Sequence, residues 1–192
     1  MQSQPIFETE RLILSPRRPD ETEDCLAMDR APGVLDHVEG PWDDPVRHRA
    51  FIEARTRGPH PPGLGYWTIR LRAEPHRFAG WVLLIPEDAI GPAIEIGWRL
   101  PPDVWGRGYA TEAARPLLAH AFRALGLALI VASIMPANAA SLAVAAKLGF
   151  PPEGDAIPGS PYRRYVLRAD GLTAGRARSG SAPATPERAG ER

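Results

Sequence analysis

Residues 93–113 read AIEIGWRLPPDVWGRGYATEA, and this stretch decides how the chain folds. The alternating apolar run that ends at Leu100 predicts a β-strand, and the two prolines after it end that strand. The helical spacing of apolar residues that begins at Tyr109 predicts a helix. Gly106 and Gly108 stand between the two, at the mouth of the helix. The segment therefore predicts a strand, a glycine turn and a helix, in that order.

The glycine turn is a candidate anion site. Two glycines leave backbone N–H groups uncovered by side chains, and the helix N-terminus adds about half a positive elementary charge. Together these features suit a phosphate or pyrophosphate, to which Arg107 would add a cation. A tight turn that binds nothing is the structural alternative.

The elements on either side predict an α/β (α+β) domain with a mixed, mostly antiparallel sheet. Short connections between the strands within 65–100 favour antiparallel neighbours, whereas the strand–helix–strand unit over 93–135 predicts one parallel pair. The predicted strands lie within 6–14 and over 65–72, 78–85, 93–100, 128–135, 152–157 and 162–167. The predicted helices cover 19–29, 45–57, 109–125 and 138–148.

Pro116 falls inside the predicted helix 109–125. A proline removes one backbone hydrogen bond and costs about 3 kcal/mol in a regular helix interior. We therefore expect a kink there, or a first helical segment that ends earlier.

The composition places one folded domain at residues 1–168. The chain has 192 residues, of which 44% are apolar, as in globular proteins. The tail 169–192 consists mainly of Gly, Ala, Arg, Ser, Pro, Thr and Glu, and Leu172 is its one large apolar residue. It cannot bury enough apolar surface to offset its ordering entropy, so we expect it to be disordered.

Several classes of protein and site are disfavoured by composition. Lys plus Arg and Asp plus Glu both number 23, which indicates no nucleic-acid footprint. The longest apolar stretch, 125–135, is too short for a bilayer, and the first residues show no signal peptide, so we expect a cytoplasmic protein without a membrane partner. Cys25 is the single cysteine, and none of the five histidines pair at metal-ligand spacing, so we expect no metal site.

A dinucleotide site is the main alternative for the glycine turn. That fingerprint needs a third glycine, but Thr111 occupies the place. It also needs an acidic residue at the end of the next strand, which here ends in Met135 and Pro136. The turn after the first strand is also too long, and a P-loop is absent.

The same segments resemble the GNAT acetyltransferases, in the branch similar to the RimJ/RimL ribosomal-protein acetyltransferases. Residues 95–100 and 105–113 look like the coenzyme-A-binding motif, with Trp105 at the usual Gln or Arg position and Ala110 at the last. Residues 138–141 and 147–150 look like the downstream motif of that branch. Residues 9–14, TERLIL, resemble its usual opening.

The resemblance implies a GNAT-like fold, a mixed, mostly antiparallel twisted sheet flanked by helices, and acetyl-CoA as co-substrate. Amides from Gly106 to Thr111 would hold the pyrophosphate of the coenzyme. The end of the strand 93–100 would pair with the pantetheine arm, which Asn138 would also contact. A backbone N–H near Leu100 would polarise the thioester carbonyl. The implied coenzyme residues are Trp98, Arg99, Leu100, Trp105, Gly106, Arg107, Gly108, Tyr109, Ala110, Thr111 and Asn138.

Two side chains are candidates for the acetyl transfer itself. Glu95 is a candidate base, acting directly or through water, and Gly97 on the same strand face leaves room for a substrate beside it. Alternatively, Glu95 anchors the ammonium group of the acceptor, or it is a solvent-facing or ion-paired carboxylate without a catalytic role. Ser141 is a candidate to hydrogen-bond the leaving sulfur. The alternative is that Asn138 caps the helix and Ser141 is its third residue.

The acceptor is expected to be a primary amine, either a peptide N-terminus or a small molecule. The resemblance places the segment 33–42 near it, so His37 and Trp42 are candidate acceptor-binding residues. Family members often pair, so a homodimer is possible. A non-catalytic acyl-CoA-binding module is the competing function.

Overall fold

The computed structural model describes residues 4–155 and 159–170 and contains eight strands in a single sheet. The strands are β1 (Phe7–Glu8), β2 (Leu12–Pro16), β3 (Gly65–Leu71), β4 (Glu74–Pro86), β5 (Ile94–Arg99), β6 (Leu129–Ile134), β7 (Pro152–Asp155) and β8 (Arg163–Arg168). The α-helices are α1 (Thr22–Asp29), α2 (Pro45–Arg57), α3 (Tyr109–Arg123) and α4 (Ala139–Leu148). Short 3₁₀ turns occur at Pro19–Glu21, Glu87–Ala89 and Pro102–Val104.

The sheet is mixed and mostly antiparallel, which confirms the predicted fold class. Its strand order is β1-β2-β3-β4-β5-β6-β8-β7. Neighbours pair antiparallel except β5 and β6, which are parallel and bridge at Glu95 and Val131. The predicted strand–helix–strand unit therefore forms as expected, with α3 as the crossover.

Helices cover both faces of the sheet, and each face has its own apolar core. α3 and α4 pack on one face, where Trp67, Ile96 and Leu117 are almost completely buried. α1 and α2 pack on the other face, against Tyr66 and Trp81. The two sides of each central strand thus serve different layers, as the alternation of β-strand side chains requires.

A bulge in β4 brings the end of β5 close to its neighbour. The pairing of β3 with β4 slips between Thr68 and Arg70, opposite Gly80, whose φ is +112°. A Cβ at Gly80 would lie 2.3 Å from the Arg99 carbonyl oxygen and 2.8 Å from the Leu100 Cα. The backbones pass so closely that only glycine fits there.

α3 continues through Pro116 as one helix from Tyr109 to Arg123. The expectation of an earlier end to the first helical segment was therefore wrong. Pro116 loses one backbone bond, but the neighbouring Leu117 and Leu118 are buried and hold the helix on the sheet. α3 has 15 residues, and none of the described helices combines the length and the hydropathy that a membrane span requires.

Most other boundaries agree with the sequence to within a few residues. β4 is the largest departure, because it begins at Glu74 rather than at residue 78. The predicted strand 152–157 is observed as Pro152–Asp155, and residues 156 and 157 lie outside the described residues. The predicted disordered tail also lies outside them, except for residues 169 and 170.

Replacing Gly80 by alanine is expected to destabilise the protein far more than an equivalent change at Gly126. Both glycines have positive φ, but a Cβ at Gly126 meets nothing within 4 Å. Gly126→Ala should therefore lower the free energy of unfolding by only about 1 kcal/mol through backbone strain. Gly80→Ala should lower the free energy of unfolding by about 2 kcal/mol or more beyond that, because the new Cβ clashes with Arg99. Urea unfolding measures the loss of stability in both variants, and equal losses would contradict the close approach of the Gly80 and Arg99 backbones.

Candidate active site

The glycine turn after β5 leaves the start of α3 open. Gly106 and Gly108 have φ values of 72° and 79°, in the left-handed region that favours glycine. Gly108 is the N-cap of α3, and no side chain caps the helix there. The first amides of the helix therefore keep unsatisfied N–H donors at its positive end. A Cβ at Gly106 would meet no atom within 4 Å, so this side of the turn is open.

Arg11 and Thr9, from the β1–β2 hairpin, hold the turn in place through Glu112. Thr9 Oγ1 and the Arg11 amide both donate to Glu112 Oε1, at 2.6 and 2.9 Å. Arg11 Nε donates to Glu112 Oε2 at 2.7 Å, and Arg11 Nη1 donates to the Arg107 carbonyl at 3.0 Å. The Arg11 guanidinium also lies 4.7 Å from the centre of the Tyr109 ring. We call these contacts the Arg11 clamp; they hold the Arg107 carbonyl and the first turn of α3 in place.

The clamp residues Thr9, Arg11 and Glu112 are functional candidates that sequence reasoning did not assign. Two signals were present: the TERLIL segment that resembles the family opening, and an acidic residue in the first turn of α3. Neither signal shows that the two segments meet, because about a hundred residues separate them in the chain. Their pairing depends on the tertiary fold.

Thr111 lies in the same first turn and carries a polar atom without a partner. Its Oγ1 is buried and makes no hydrogen bond within the described part of the chain. Buried hydroxyls are usually satisfied, so an unpaired one beside open amides suits a ligand that supplies the missing partner.

β5 and β6 are bridged at Glu95 and Val131 but not further along, so they part toward the carboxyl ends from which the chain enters α3 and α4. The carboxyl ends of parallel strands lie at the same edge of a sheet, so both helix N-termini lie there. Asn138 Oδ1 accepts a hydrogen bond of 3.0 Å from the Ser141 amide, which confirms Asn138 as the cap of α4 and Ser141 as its third residue. The structure thus brings Asn138 and Ser141 to the same edge as the glycine turn.

Trp105 closes the turn against the strand end. Its indole Nε1 donates to the Leu100 carbonyl at 2.6 Å, and its ring packs over Gly33. Trp98 packs against the core on the α3 and α4 side. The Arg99–Leu100 backbone is held from the other side by Gly80. Gly80 is a further positioning residue that the sequence reasoning missed, although a lone glycine within a strand pattern can mark a close backbone approach.

Glu95 lies on the opposite face of β5 from α3 and α4. Its Oε1 accepts a long hydrogen bond of 3.3 Å from the Ser133 amide of β6, so the carboxylate reaches across from β5 to β6. Ser133 Oγ donates to Glu87 Oε1 at 3.2 Å. The room expected at Gly97 is already used, because a Cβ there would lie 3.3 Å from the Leu83 side chain. That expectation was wrong: the missing side chain accommodates core packing.

Arg99 shares the Glu95 face, and its side chain takes part in a buried ion pair. Its Nη1 lies 3.0 Å from both carboxylate oxygens of Asp29, and His48 Nε2 lies 2.9 Å from Asp29 Oδ2. The guanidinium lies over the Trp42 and Trp81 rings, at 5.2 and 5.0 Å from their centres. The Arg99 side chain is therefore directed away from the glycine turn, and only its backbone is available for the predicted pairing with pantetheine.

Trp42 is brought to this face by its contact with the Arg99 guanidinium. The Trp42 Nε1 donates to the Val38 carbonyl at 2.6 Å, which folds the segment 33–42 onto itself. Tyr162 accepts a hydrogen bond of 2.9 Å from the Glu39 amide and so ties this segment to the residues before β8. Burial raises the pKa of Tyr162, and the hydrogen bond with the Glu39 amide offsets this rise only in part. His37 is half-buried.

Comparison with known proteins identifies the family to which this fold belongs. The sequence model of the family described as "Acetyltransferase (GNAT) domain" matches residues 11–151. The chain therefore belongs to the GNAT acetyltransferase family, whose members use acetyl-CoA.

Individual relatives agree with this assignment. The chain is 32% identical over 160 residues to the Aspergillus fumigatus protein named FsC-acetyl coenzyme A-N(2)-transacetylase, covering 78% of this chain and 66% of that one. It is 40% identical over 60 residues to the uncharacterized N-acetyltransferase YnaD of Bacillus subtilis, covering 31% of this chain and 35% of that one. The chain thus spans just under two thirds of the fungal relative and about a third of YnaD.

Solved structures share the whole fold. An acetyltransferase from Agrobacterium tumefaciens superposes with a TM-score of 0.72 at 29% identity, covering 88% of this chain and 96% of that one. A ribosomal-protein-serine acetyltransferase from Vibrio cholerae, described as putative in its name, superposes at 0.67 and 19% identity, covering 88% and 99%. The second likeness shows the fold alone.

Replacing Glu112 by glutamine is expected to loosen the clamp in a pH-dependent way. Burial by itself raises the pKa of Glu112, but the bonds from Thr9 and Arg11 outweigh it and lower the pKa below its ordinary value. The ionised carboxylate therefore stabilises the fold above its unfolded-state pKa, and this contribution is lost as the pH falls through the folded-state pKa. Glu112→Gln should cost about 1–3 kcal/mol at neutral pH.

Urea unfolding of both proteins, from neutral pH down to about pH 3, measures this difference. The exposed Glu10 of the same hairpin supplies the control, and Glu10→Gln should change little. If the free energies of unfolding of wild type and Glu112→Gln differ by the same amount at every pH, the lowered pKa of Glu112 is not the cause of the loss of stability.

Proposed function

We propose that the protein transfers the acetyl group of acetyl-CoA directly to a primary amine. The observation that carries this proposal is the open N-terminus of α3, held by the Arg11 clamp at the edge where β5 and β6 part. The proposed anion site at the start of α3 and the Glu95 carboxylate lie at opposite ends of β5. Glu95 is about 16 Å along β5 from Leu100, so the site suits a long ligand with an anionic end.

The residues at this edge fit acetyl-CoA. The amides from Gly106 to Thr111 would hold the pyrophosphate, and the Thr111 hydroxyl has no other partner. The backbone at Trp98, Arg99 and Leu100 would pair with the pantetheine arm, and Asn138 would contact that arm while it caps α4. Bound there, acetyl-CoA supplies an activated acetyl group as a thioester.

Glu95 is the proposed group that accepts the amine proton, directly or through water, or that anchors the ammonium form. A stabilised oxyanion is also needed, and an N–H near Leu100 would serve it. Ser141, in the first turn of α4, would hydrogen-bond the departing sulfur. No covalent nucleophile is required. Burial raises the pKa of the Cys25 thiol to about 11, so Cys25 is a core residue rather than a nucleophile.

The acceptor is proposed to be an amine that needs only a weak base. An α-amine with a pKa near 7.8 is roughly one third free at pH 7.5, whereas a lysine amine near 10.4 is about 0.1% free. This favours peptide N-termini, as does the resemblance to the RimJ/RimL branch. A small-molecule amine is the second candidate, and the fungal relative, named an N(2)-transacetylase, favours it.

The remaining assignments are also proposals. Residues 1–168 would form the acetyltransferase domain, which would act in the cytoplasm, as a monomer or homodimer, without nucleic acid or membrane partners. A non-catalytic acyl-CoA-binding module would share the coenzyme site but not the chemistry of Glu95.

Gly108→Val is expected to prevent acetyl-CoA binding. A branched side chain at this left-handed position would strain the turn and cover the amides that face the pyrophosphate. The dissociation constant should rise by about 100-fold or more, equivalent to about 2.8 kcal/mol. Isothermal titration with acetyl-CoA measures it, with NADH as the ligand that should not bind.

Gly126→Val is the matched control, because Gly126 also has positive φ and lies beyond α3. It should retain acetyl-CoA binding. Tight acetyl-CoA binding by a folded Gly108→Val protein would disprove the assignment of the turn. Binding of NADH by the wild type would favour the dinucleotide alternative.

Glu95→Gln is expected to abolish most of the turnover while acetyl-CoA still binds. Loss of a general base should lower kcat by about 100- to 10,000-fold. A loss confined to KM would instead assign Glu95 as the ammonium anchor. Release of free thiol from acetyl-CoA measures both constants, and Glu53→Gln on the surface of α2 is the control. Unchanged kcat and KM would refute either role for Glu95.

A further inference from the structure

Arg17 is a buried cation without a hydrogen-bonding partner. The residue is 8% exposed, and its Nε and Nη2 atoms are buried and unbonded within the described part of the chain. Its guanidinium carbon lies 3.9 Å from the centre of the Tyr66 ring and 5.9 Å from that of Trp81. Burial lowers the pKa of Arg17, because the charged form loses water. A buried charge without a partner is costly to a fold.

The nearby carboxylates are already engaged by other groups. The Glu21 carboxylate accepts hydrogen bonds from the Arg18 amide and from the side chains of Thr68 and Arg70. The Asp29 carboxylate is paired with Arg99 and His48, as described above. Arg17 forms no ion pair with any described residue. An apolar side chain of similar volume would serve packing at least as well, so the cation calls for a functional explanation.

Arg17 lies on the Glu95 face of the sheet. Its amide donates to the Tyr66 carbonyl at 2.9 Å; Tyr66 is opposite Leu83, and Leu83 is opposite Gly97. These positions form one line across the strands. Glu95 is two residues from that line on β5, about 7 Å along the strand.

Arg99 also lies on this face, over the same Trp81 ring as Arg17. The Arg99 guanidinium is paired with the Asp29 carboxylate, whereas the Arg17 guanidinium has no carboxylate partner among the described residues. An anion that enters this layer can therefore pair with Arg17, which has two buried donor atoms without a partner, whereas Arg55 of α2 has one.

We propose that the acceptor is a small amine that carries a carboxylate, bound by Arg17 while the amine lies at Glu95. The proposal rests on the proposed acetyl transfer and names its substrate class. The planar fork of a guanidinium suits a carboxylate through two parallel hydrogen bonds, and its aromatic neighbours strengthen them by limiting water. Glu95 lies about 7 Å along β5 from the line of Arg17, and β5 lies two strands, about 10 Å, from the strand whose Tyr66 ring Arg17 covers, so amine and carboxylate should be separated by several bonds.

The test compares acceptors that differ only in charge. A series of straight-chain ω-amino acids, from glycine to aminohexanoate, is assayed beside the corresponding primary amides by thiol release from acetyl-CoA. Wild type should prefer the longer acids over their amides by about 10- to 100-fold in kcat/KM. Arg17→Met should lose this preference and keep its affinity for acetyl-CoA. Arg123→Met, on the exposed end of α3, should keep both.

A binding measurement separates this inference from the acetyl-transfer proposal. Thermal unfolding of the wild type with aminohexanoate should show a higher midpoint than with aminohexanamide, and Arg17→Met should abolish the difference. Failure of acetyl-CoA to bind would refute the acetyl-transfer function, but it would leave this ligand comparison able to decide the anion site. Equal midpoints for acid and amide in the wild type, or an unchanged difference in Arg17→Met, would overturn the inference.

A second variant covers the case in which Arg17→Met does not fold. Arg17→Lys keeps the charge but loses the planar fork, so the preference for acids should fall without vanishing. A full wild-type preference in Arg17→Lys would overturn the two-bond recognition by Arg17.

Discussion

The parallel pairing of β5 with β6, and its early end, determines where the candidate site can form. Two parallel strands must be followed by helices that start at the same edge of the sheet. The first turns of α3 and α4 therefore flank one gap, although they lie about thirty residues apart in the chain. An antiparallel pair would have placed the glycine turn and Asn138 at opposite edges, with no shared site.

The two faces of the sheet divide the proposed work between backbone and side chains. On the edge near α3, the groups available to a coenzyme are mainly main-chain amides, and the clamp from Arg11 to Glu112 holds them in position. On the Glu95 face, the available groups are side chains, supported by the Arg99–Asp29–His48 cluster. Gly80 links the two, because the bulge in β4 fixes where β5 ends and the turn begins.

Sequence patterns predicted the elements well and the contacts between distant elements poorly. The glycine spacing placed the start of α3 correctly, and the Asn138 and Gly149 signals bounded α4, because turns and caps are local events. The family resemblance likewise led to the correct fold. The role of Glu112 could not be seen, since it depends on a hairpin about a hundred residues away. The use of Gly97 by Leu83 and the isolation of Arg17 also depend on neighbours across the sheet.

The backbone character of the proposed coenzyme site bears on how this protein diverges from its relatives. Main-chain donors do not change when most side chains change, so that site tolerates extensive sequence drift provided that a few glycines persist. The face that carries Glu95, Arg17 and Trp42 has no such protection, and each exchange there would alter the chemistry offered to the proposed acceptor. Such a protein can acquire new acceptors by a handful of substitutions while its acetyl donor stays the same.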